Sequence, residues 1–238
     1  MLLNPLRILA STVVCHIEKY LNKTKYNTMR NFLFALLMLV VLGSCKKNES
    51  ESTIVYQDNL TIDKMTWPSD STSVHIRKFY QGHYFLEVDS VPNIISYSFA
   101  PFGTLNYPYS VQVDAILQIN NSNEIGFVGI IFNRVDKNNY CVVELCSNST
   151  YRIWKRTNGS ITNILTSTYS SIINTDNSAK NTIKVIQGSS SIQLFINNAS
   201  LGSFNLSIPN VYFQVGVSTS TYLVPVIGLF NNFIIEKI

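Results

Sequence analysis

The first residues that could do chemistry are two carboxylates at alternate positions in EVDSV, residues 87–91. Residues i and i+2 of a β-strand point to the same face, so Glu87 and Asp89 would lie side by side. Carboxylate pairs act as nucleophile and general acid when a glycosidic bond is hydrolysed. The next position on that face is the apolar residue Val91, so the run of alternating acids ends after two. A third carboxylate that could protonate a leaving group is missing from this face. We therefore interpret Glu87 and Asp89 as solvated acids on an outer strand, and as weak catalytic candidates only.

A further acid, Glu144, interrupts the apolar segment YCVVELC, residues 140–146. Alternation places it on one face with Tyr140 and Val142. A lone carboxylate there could pair across a sheet with Arg134 or with Arg152. We favour this ion pair over a catalytic role, which makes Glu144 a weak catalytic candidate as well.

Aromatic residues next to arginines form a candidate binding site. In YRIWKR, residues 151–156, alternation places Arg152, Trp154 and Arg156 on one face. A Trp between two arginines does not make an apolar core face, so we expect its ring to point outward or into a groove. The alternative is a Trp that a loop or the arginine stems cover. Since aromatic faces stack on sugar rings, Trp154, Arg152 and Tyr140 are the first ligand-binding candidates.

A second candidate patch consists of Tyr107 and Tyr109, which flank Pro108 in a predicted loop.

Other kinds of chemistry find little support. The sequence has no G-x-S-x-G segment and no glycine loop suited to a phosphate. His75 and His83 have no cysteine at ligand spacing, so we expect no metal site of that kind. Asp114, Asp136 and Asp176 could contribute to a calcium site, but no dense EF-hand loop is present. We expect no cofactor, with calcium left open.

The elements that must position these residues are β-strands. From Ile54 onward the apolar residues alternate with period two, and no 3.6-residue period appears. Asn158-Gly159 predicts a tight hairpin turn, because a type I′ turn needs positive φ at both central residues. Many short strands without helices predict an all-β, two-sheet antiparallel sandwich of jelly-roll kind. The segments predicted as strands include 109–120, 126–135, 140–146, 150–157, 181–188, 191–198, 211–219 and 230–238.

Two cysteines, Cys141 and Cys146, fall in one predicted strand. Five residues along a strand separate them by roughly 16 Å and place them on opposite faces, too far apart for a disulfide. We therefore expect reduced packing residues.

The segment before the strands is typical of a bacterial lipoprotein leader. A basic start at 29–30 precedes eleven apolar residues, 32–42, and then LGSC, residues 42–45. Eleven residues are too few to span a bilayer, whereas a signal peptide fits. LGSC resembles a lipobox, so Cys45 is the predicted lipidated first residue of the mature chain; the alternative is an ordinary secretory signal.

These signals divide the chain into four parts. We interpret residues 1–28 as an upstream extension, with Met29 as the true start, or else as part of an unusually long leader. Residues 29–44 are then the signal peptide, 45–53 the lipidated cysteine with a polar tether, and 54–238 the jelly roll. A lipid-anchored protein of the cell envelope, in the outer membrane on its periplasmic or surface face, is the expected location.

The net charge belongs to the leader. Residues 1–44 hold five basic residues and one acidic residue, while the remainder has 13 of each. The pI of about 8.8 is therefore no indication of nucleic-acid binding.

Several segments in order resemble the concanavalin A-like lectin and glucanase jelly rolls, in particular laminin G-like and 3-keto-disaccharide-hydrolase-like domains. The segments are YQDNLTIDKMTWP (56–68), QGHYFLEVDS (81–90), the central module 126–165, the hairpin 181–204 and GLFNNFIIEKI (228–238). The resemblance implies the fold more than any one function. Glucanases on this fold carry Glu-x-Asp-x-Glu on one strand, which residues 87–91 match only in part.

The resulting function hypothesis is a non-catalytic, lectin-like module that binds a glycan or a partner protein as a monomer on the envelope. The alternative is a glycoside hydrolase of the glucanase or 3-keto-disaccharide-hydrolase type.

Cys45→Ala tests the lipidation. We expect the variant to remain unprocessed or to become soluble, because acylation and cleavage both need that thiol. Mass spectrometry of the native protein should place its N-terminus at Cys45. Peptides from residues 1–44 in the mature protein would contradict the assignment.

Overall fold

Fifteen strands make up the regular structure of the described residues in this computed structural model, and no helix occurs among them. The structure describes residues 52–91, 94–103, 105–106, 108–120, 124–206 and 213–238. The strands are β1 Thr53–Asp58, β2 Asp70–Ser71, β3 His75–Tyr80, β4 His83–Val88, β5 Ile94–Phe99, β6 Tyr109–Ile119, β7 Gly126–Asp136, β8 Asn139–Cys146, β9 Thr150–Thr157, β10 Ser160–Tyr169, β11 Lys180–Gln187, β12 Ser191–Ile196, β13 Ala199–Asn205, β14 Gln214–Thr221 and β15 Val226–Lys237.

The strands form two antiparallel sheets. The larger sheet has nine strands in the order β13-β12-β11-β6-β15-β4-β3-β2, and β1 pairs with the second half of β15. The smaller sheet has six strands in the order β10-β9-β8-β7-β14-β5. Neighbouring strands that are distant in sequence, such as β14 between β7 and β5, give the crossing connections of a jelly roll. The predicted two-sheet antiparallel sandwich is confirmed.

The turn prediction at residues 158 and 159 is confirmed. Asn158 has a φ of 49° and Gly159 a φ of 84°, which are the positive angles of a tight hairpin turn. The turn joins β9 to β10 with Thr157 opposite Ser160.

The main core lies between the two sheets. Alternation along β8 turns Cys141, Val143 and Leu145 into this core, where each is at most 3 % exposed. Phe230 and Tyr84 reach the same core from the larger sheet. Burial of this apolar surface is the main stabilising contribution, at roughly 25 cal/mol per Å².

The central strands β7 and β8 are buried on both faces. Ile131, Tyr140, Val142 and Trp154 form a second apolar cluster on the face of the smaller sheet that is turned away from the core. We call this the outer face. The dense apolar segments 126–135 and 140–146 are explained by this two-sided burial.

Both described cysteines are free and buried, as predicted. Cys141 packs in the main core, and burial raises the pKa of its thiol to about 12. The thiol therefore stays protonated and unreactive at neutral pH.

The expectations for the leader lie outside the described residues. These are the extension 1–28, the signal peptide 29–44, Cys45 and most of the tether. The tether's last predicted residue, Thr53, is already the first residue of β1. None of the residues that the structure describes belongs to a helix able to cross a bilayer.

Ile153→Ala and Ile161→Ala make a matched test of the sandwich. Ile153 on β9 is fully buried in the main core, whereas Ile161 on β10 is 64 % exposed. We expect the first variant to lose about 2–5 kcal/mol of unfolding free energy and the second less than about 0.5 kcal/mol. Urea denaturation measures both, and equal losses would contradict the assignment of faces.

Candidate functional site

The outer face of the smaller sheet carries the residues on which the candidate site is built. Along β8 it receives Tyr140, Val142 and Glu144, and along β9 it receives Arg152 and Trp154. The register pairs Glu144 with Arg152 and Val142 with Trp154. A period of two on two adjacent strands thus brings the predicted residues onto one surface.

Small residues on the two middle strands leave room for aromatic rings above them. Ser218 on β14 and Gly129 on β7 are paired between Tyr97 and Glu144 in one row across the sheet. The rings of Tyr97 and Tyr140, from strands that do not pair, come within 6.1 Å of each other, centroid to centroid. The aromatic cluster therefore extends over the middle strands.

The Glu144 carboxylate is the polar centre of this face. One of its oxygens accepts hydrogen bonds from Arg152 Nε at 2.6 Å and Trp154 Nε1 at 2.7 Å. The other accepts from Ser220 Oγ at 2.6 Å. The residue is 1 % exposed, and these three donors satisfy the charge that burial would otherwise leave unsolvated. The predicted ion pair is confirmed, with Arg152 and not Arg134 as its partner.

Arg152 is fixed on several sides. Its Nη1 donates to the Tyr222 hydroxyl at 2.7 Å, and its guanidinium carbon lies 3.9 Å from the centre of the Phe127 ring. Burial alone would lower the pKa of this guanidinium, but the Glu144 carboxylate outweighs burial and the net shift is upward. Arg152 is therefore a permanent cation held in a preset position.

A hollow of about 320 Å³ opens on the outer face. Its volume is at the small end of the range for ligand pockets. The lining combines apolar, aromatic, basic and uncharged polar side chains from β5, β8, β9, β10 and β14. They are Ile94, Ile95, Tyr140, Arg152, Trp154, Arg156, Ile161, Asn163, Ser220, Thr221 and Tyr222.

Arg156 is the second basic residue of the hollow. Its Nε donates to the Gly159 carbonyl oxygen at 3.0 Å and its Nη1 to the Tyr140 hydroxyl at 3.4 Å. Both acceptors are uncharged, so the guanidinium is oriented without being neutralised.

The structure brings together the first three predicted binding residues, Trp154, Arg152 and Tyr140. Trp154 lies on the outer face and in the lining of the hollow, which agrees with the expectation of a ring that points outward or into a groove. Its ring lies 5.6 Å from that of Tyr140 and the residue is only 6 % exposed. Most of its surface is covered by residues of the same face, because Tyr140, Ile131 and Val142 pack around it.

The second predicted patch is wrong for Tyr109. This residue begins β6 and does not belong to a loop, and its ring is fully buried in the main core. Its hydroxyl donates to Asn133 Oδ1 at 2.6 Å, so the buried hydroxyl has a hydrogen-bond partner. A ligand cannot reach it. Tyr107 lies outside the described residues.

The alternating acids do not reach the hollow. Glu87 is a half-buried residue of β4 in the larger sheet, paired with Ile76 and Ile227. Asp89 follows the end of β4, is exposed, and accepts a hydrogen bond from the Ser90 backbone N–H at 2.7 Å. Neither Glu87 nor Asp89 can act together with Glu144, because neither of them lines the hollow above Glu144. The interpretation as solvated acids on an outer strand holds only for the exposure of Asp89, because β4 lies between β15 and β3 and Glu87 is half-buried.

The aspartates that could have bound calcium lie apart. Asp114 accepts hydrogen bonds from Thr182, Lys180 and Asn232 at 2.6–3.0 Å. Burial alone would raise the pKa of its carboxyl, but these donors outweigh burial and hold the pKa below its usual range. Asp136 caps the β7–β8 turn, and Asp176 is exposed. The part of the chain that the structure describes contains no group of three metal-ligating His, Cys, Asp or Glu side chains.

Sequence reasoning missed the rim of the hollow on β5, β10 and β14. Ser220 lies 76 residues from the carboxylate it contacts. No local pattern marks it, because strand order between distant segments decides the contact. Asn163 could have been found, since the Asn158-Gly159 turn fixes its pairing with Trp154.

No family model matches the sequence, and a search of curated proteins by sequence finds no match.

Solved structures are similar in fold. The carbohydrate-binding module CBM66 from Bacillus subtilis is 14 % identical, with a TM-score of 0.51 over 78 % of this chain and 95 % of that one. A galectin-like protein of unknown function from Bacillus subtilis is 10 % identical, with a TM-score of 0.56 over 78 % and 96 %. A GH16 endo-β-1,3(4)-glucanase is 10 % identical, with a TM-score of 0.57 over 79 % and 96 %. The chain has the concanavalin A-like jelly-roll fold. At these identities the likeness extends to the fold alone.

Glu144→Gln tests the polar centre of the outer face. The amide keeps the size of the side chain but removes the charge that compensates Arg152, so we expect a loss of about 3–5 kcal/mol of unfolding free energy. Glu87→Gln is the matched control and should change stability by less than about 0.5 kcal/mol. Equal stability of the two variants in urea would show that the buried pair contributes little.

Proposed function

We propose that this chain is a non-catalytic glycan-binding module, held on a bacterial cell envelope by a lipid on Cys45, and that the hollow is its binding site. The hollow offers what a sugar needs: apolar surface for the ring faces and converging polar groups for the hydroxyls. Ile94, Ile95 and Tyr140 supply the first, while Asn163 and Arg156 supply the second.

The state of Glu144 is the observation that carries the proposal. Glycoside hydrolysis needs two carboxyl groups, about 5–5.5 Å apart in retaining enzymes and about 6.5–9.5 Å apart in inverting ones. Among the described residues, no Asp or Glu side chain lines the hollow. Glu144 lies beneath it, 1 % exposed, with both oxygens engaged by three donors. A carboxylate in that position holds the side chains of the surface in place. It has no second carboxyl group in the lining with which it could act as an acid–base pair.

The comparisons support a glycan more than a partner protein as the ligand. One similar structure is described as a carbohydrate-binding module and another as a glucanase co-crystallised with an oligosaccharide. Both classes of protein recognise sugar chains on this fold. The leader ending in LGSC, residues 42–45, supports the envelope location.

The binding of a short glycan should be weak. A hollow of about 320 Å³ can surround only a small part of a sugar chain. Ligand-efficiency limits then give dissociation constants on the order of micromolar to millimolar. Display of many copies on one cell would raise the overall avidity.

Asn163→Ala and Thr162→Ala make a matched test in the full-length chain. Both residues are exposed on β10, but only Asn163 lines the hollow. A glycan array identifies a ligand, and titration calorimetry then measures its affinity. We expect Asn163→Ala to weaken binding by about two- to tenfold, as the loss of one neutral hydrogen bond does, and Thr162→Ala to leave it unchanged.

Two results would overturn the proposal. The first is that the folded chain binds no glycan on the array. The second is hydrolysis of a polysaccharide that Glu144→Gln abolishes while the variant remains folded, which would favour the glycoside hydrolase.

A further inference from the structure

The hollow has an unbalanced charge. Two arginines line it, and the Glu144 carboxylate beneath it neutralises only Arg152. None of the ion pairs formed by the described residues includes Arg156. The site therefore carries one uncompensated positive charge.

The geometry of Arg156 leaves that charge available. Its two protein acceptors are the Gly159 carbonyl, which Nε contacts, and the Tyr140 hydroxyl, which Nη1 contacts. The remaining N–H groups have no acceptor in the described part of the protein. A guanidinium that is held at two nitrogens and has N–H donors left over can contact an anionic group through charge-assisted hydrogen bonds.

A third arginine adds to the same face. Arg134 on β7 has its guanidinium carbon 4.4 Å from the centre of the Phe99 ring, and its Nη1 donates to Gln214. Its Nε is buried without an acceptor, and the ion pairs among the described residues do not include Arg134. Hydrogen bonds from Asn138 and the Asn139 side chain chiefly lower the pKa of the nearby exposed Asp136, and Arg134 contributes less. Arg134 lies outside the lining of the hollow and near the Asp136 carboxylate, so the charge of the hollow itself rests on Arg156.

We infer that the hollow selects acidic glycans, whose sugars carry a carboxylate or a sulfate group that binds Arg156. This inference rests on the proposed function and names its ligand class. A neutral sugar would cover the guanidinium without neutralising it, which costs free energy because water is displaced from a charge. An acidic sugar returns a charge-assisted hydrogen bond for the water it displaces.

Matched polysaccharides test the inference with the full-length chain. Polygalacturonate is compared with its methyl ester, which has the same backbone without the charge, and dextran sulfate with dextran. We expect the acidic member of at least one pair to bind about tenfold more tightly or better, and the pair that differs identifies the group as carboxylate or sulfate. Binding should weaken between 0.1 and 1 M salt, since the screening length falls from about 10 Å to about 3 Å.

Arg156→Gln, with Lys78→Gln as control, connects the effect to the hollow. Both variants lose one positive charge, but Lys78 lies on β3 in the larger sheet, near the rings of Tyr80 and Phe85. We expect Arg156→Gln to lose about tenfold in affinity for the acidic glycan and Lys78→Gln to change it little. Arg156→Lys should recover part of the loss, because it restores the charge but not the planar fork.

The outcomes separate the inference from the proposed function. Equal binding of acidic and neutral members, weakened in both cases by Asn163→Ala, keeps the glycan-binding module and overturns the acidic selectivity. Equal losses in the Arg156 and Lys78 variants also overturn it, since attraction would then come from overall charge. Binding to none of the polysaccharides or array glycans would overturn both. Thermal unfolding shows whether Arg156→Gln is folded. If it is not, the comparison of each charged polymer with its neutral partner, made with the unaltered protein, decides whether the hollow selects acidic glycans.

Discussion

The candidate site depends on one buried carboxylate. Glu144 joins three elements at a single point, because its donors Arg152 and Trp154 come from β9 and Ser220 comes from β14. Removing any donor would leave part of a charge unsolvated beneath an apolar cluster, which is costly. The same bonds fix the orientation of the Arg152 side chain and the indole ring. The surface of the hollow is therefore preorganised before any ligand arrives.

Burial on both faces of the smaller sheet sets the shape of this surface. The main core fills one face, while Ile131, Val142 and the rings of Tyr140 and Trp154 cover the other. Side chains confined on this scale pack at crystal-like density and adopt few rotamers. A rigid surface suits the proposed glycan binding, since the protein's side chains would lose little conformational entropy when a sugar chain binds.

The position of the carboxylates separates binding from hydrolysis on this fold. Both oxygens of Glu144 are hydrogen-bonded beneath the hollow, while Glu87 belongs to the larger sheet and Asp89 follows its strand β4. The groups left to meet a ligand are arginines, hydroxyls, an amide and apolar side chains. This lining is the basis of the proposal that the hollow binds a ligand and does not hydrolyse it. The uncompensated guanidinium of Arg156 is the basis of the proposed preference for acidic glycans.

Local patterns in the sequence were enough to predict most of the strands, the Asn158-Gly159 turn, the free cysteines and the placing of Arg152, Trp154 and Arg156 on one face. All of these follow from period-two alternation and local turn chemistry, which act over a few residues. The sequence also restricted the partner of Glu144 to two arginines. The three-dimensional structure was needed to show which arginine pairs with Glu144, that Ser220 completes the carboxylate site, that Trp154 is covered and that Tyr109 is a core residue. The order of strands in a sheet is set by long-range packing of apolar faces, and no local pattern encodes which distant segments become neighbours.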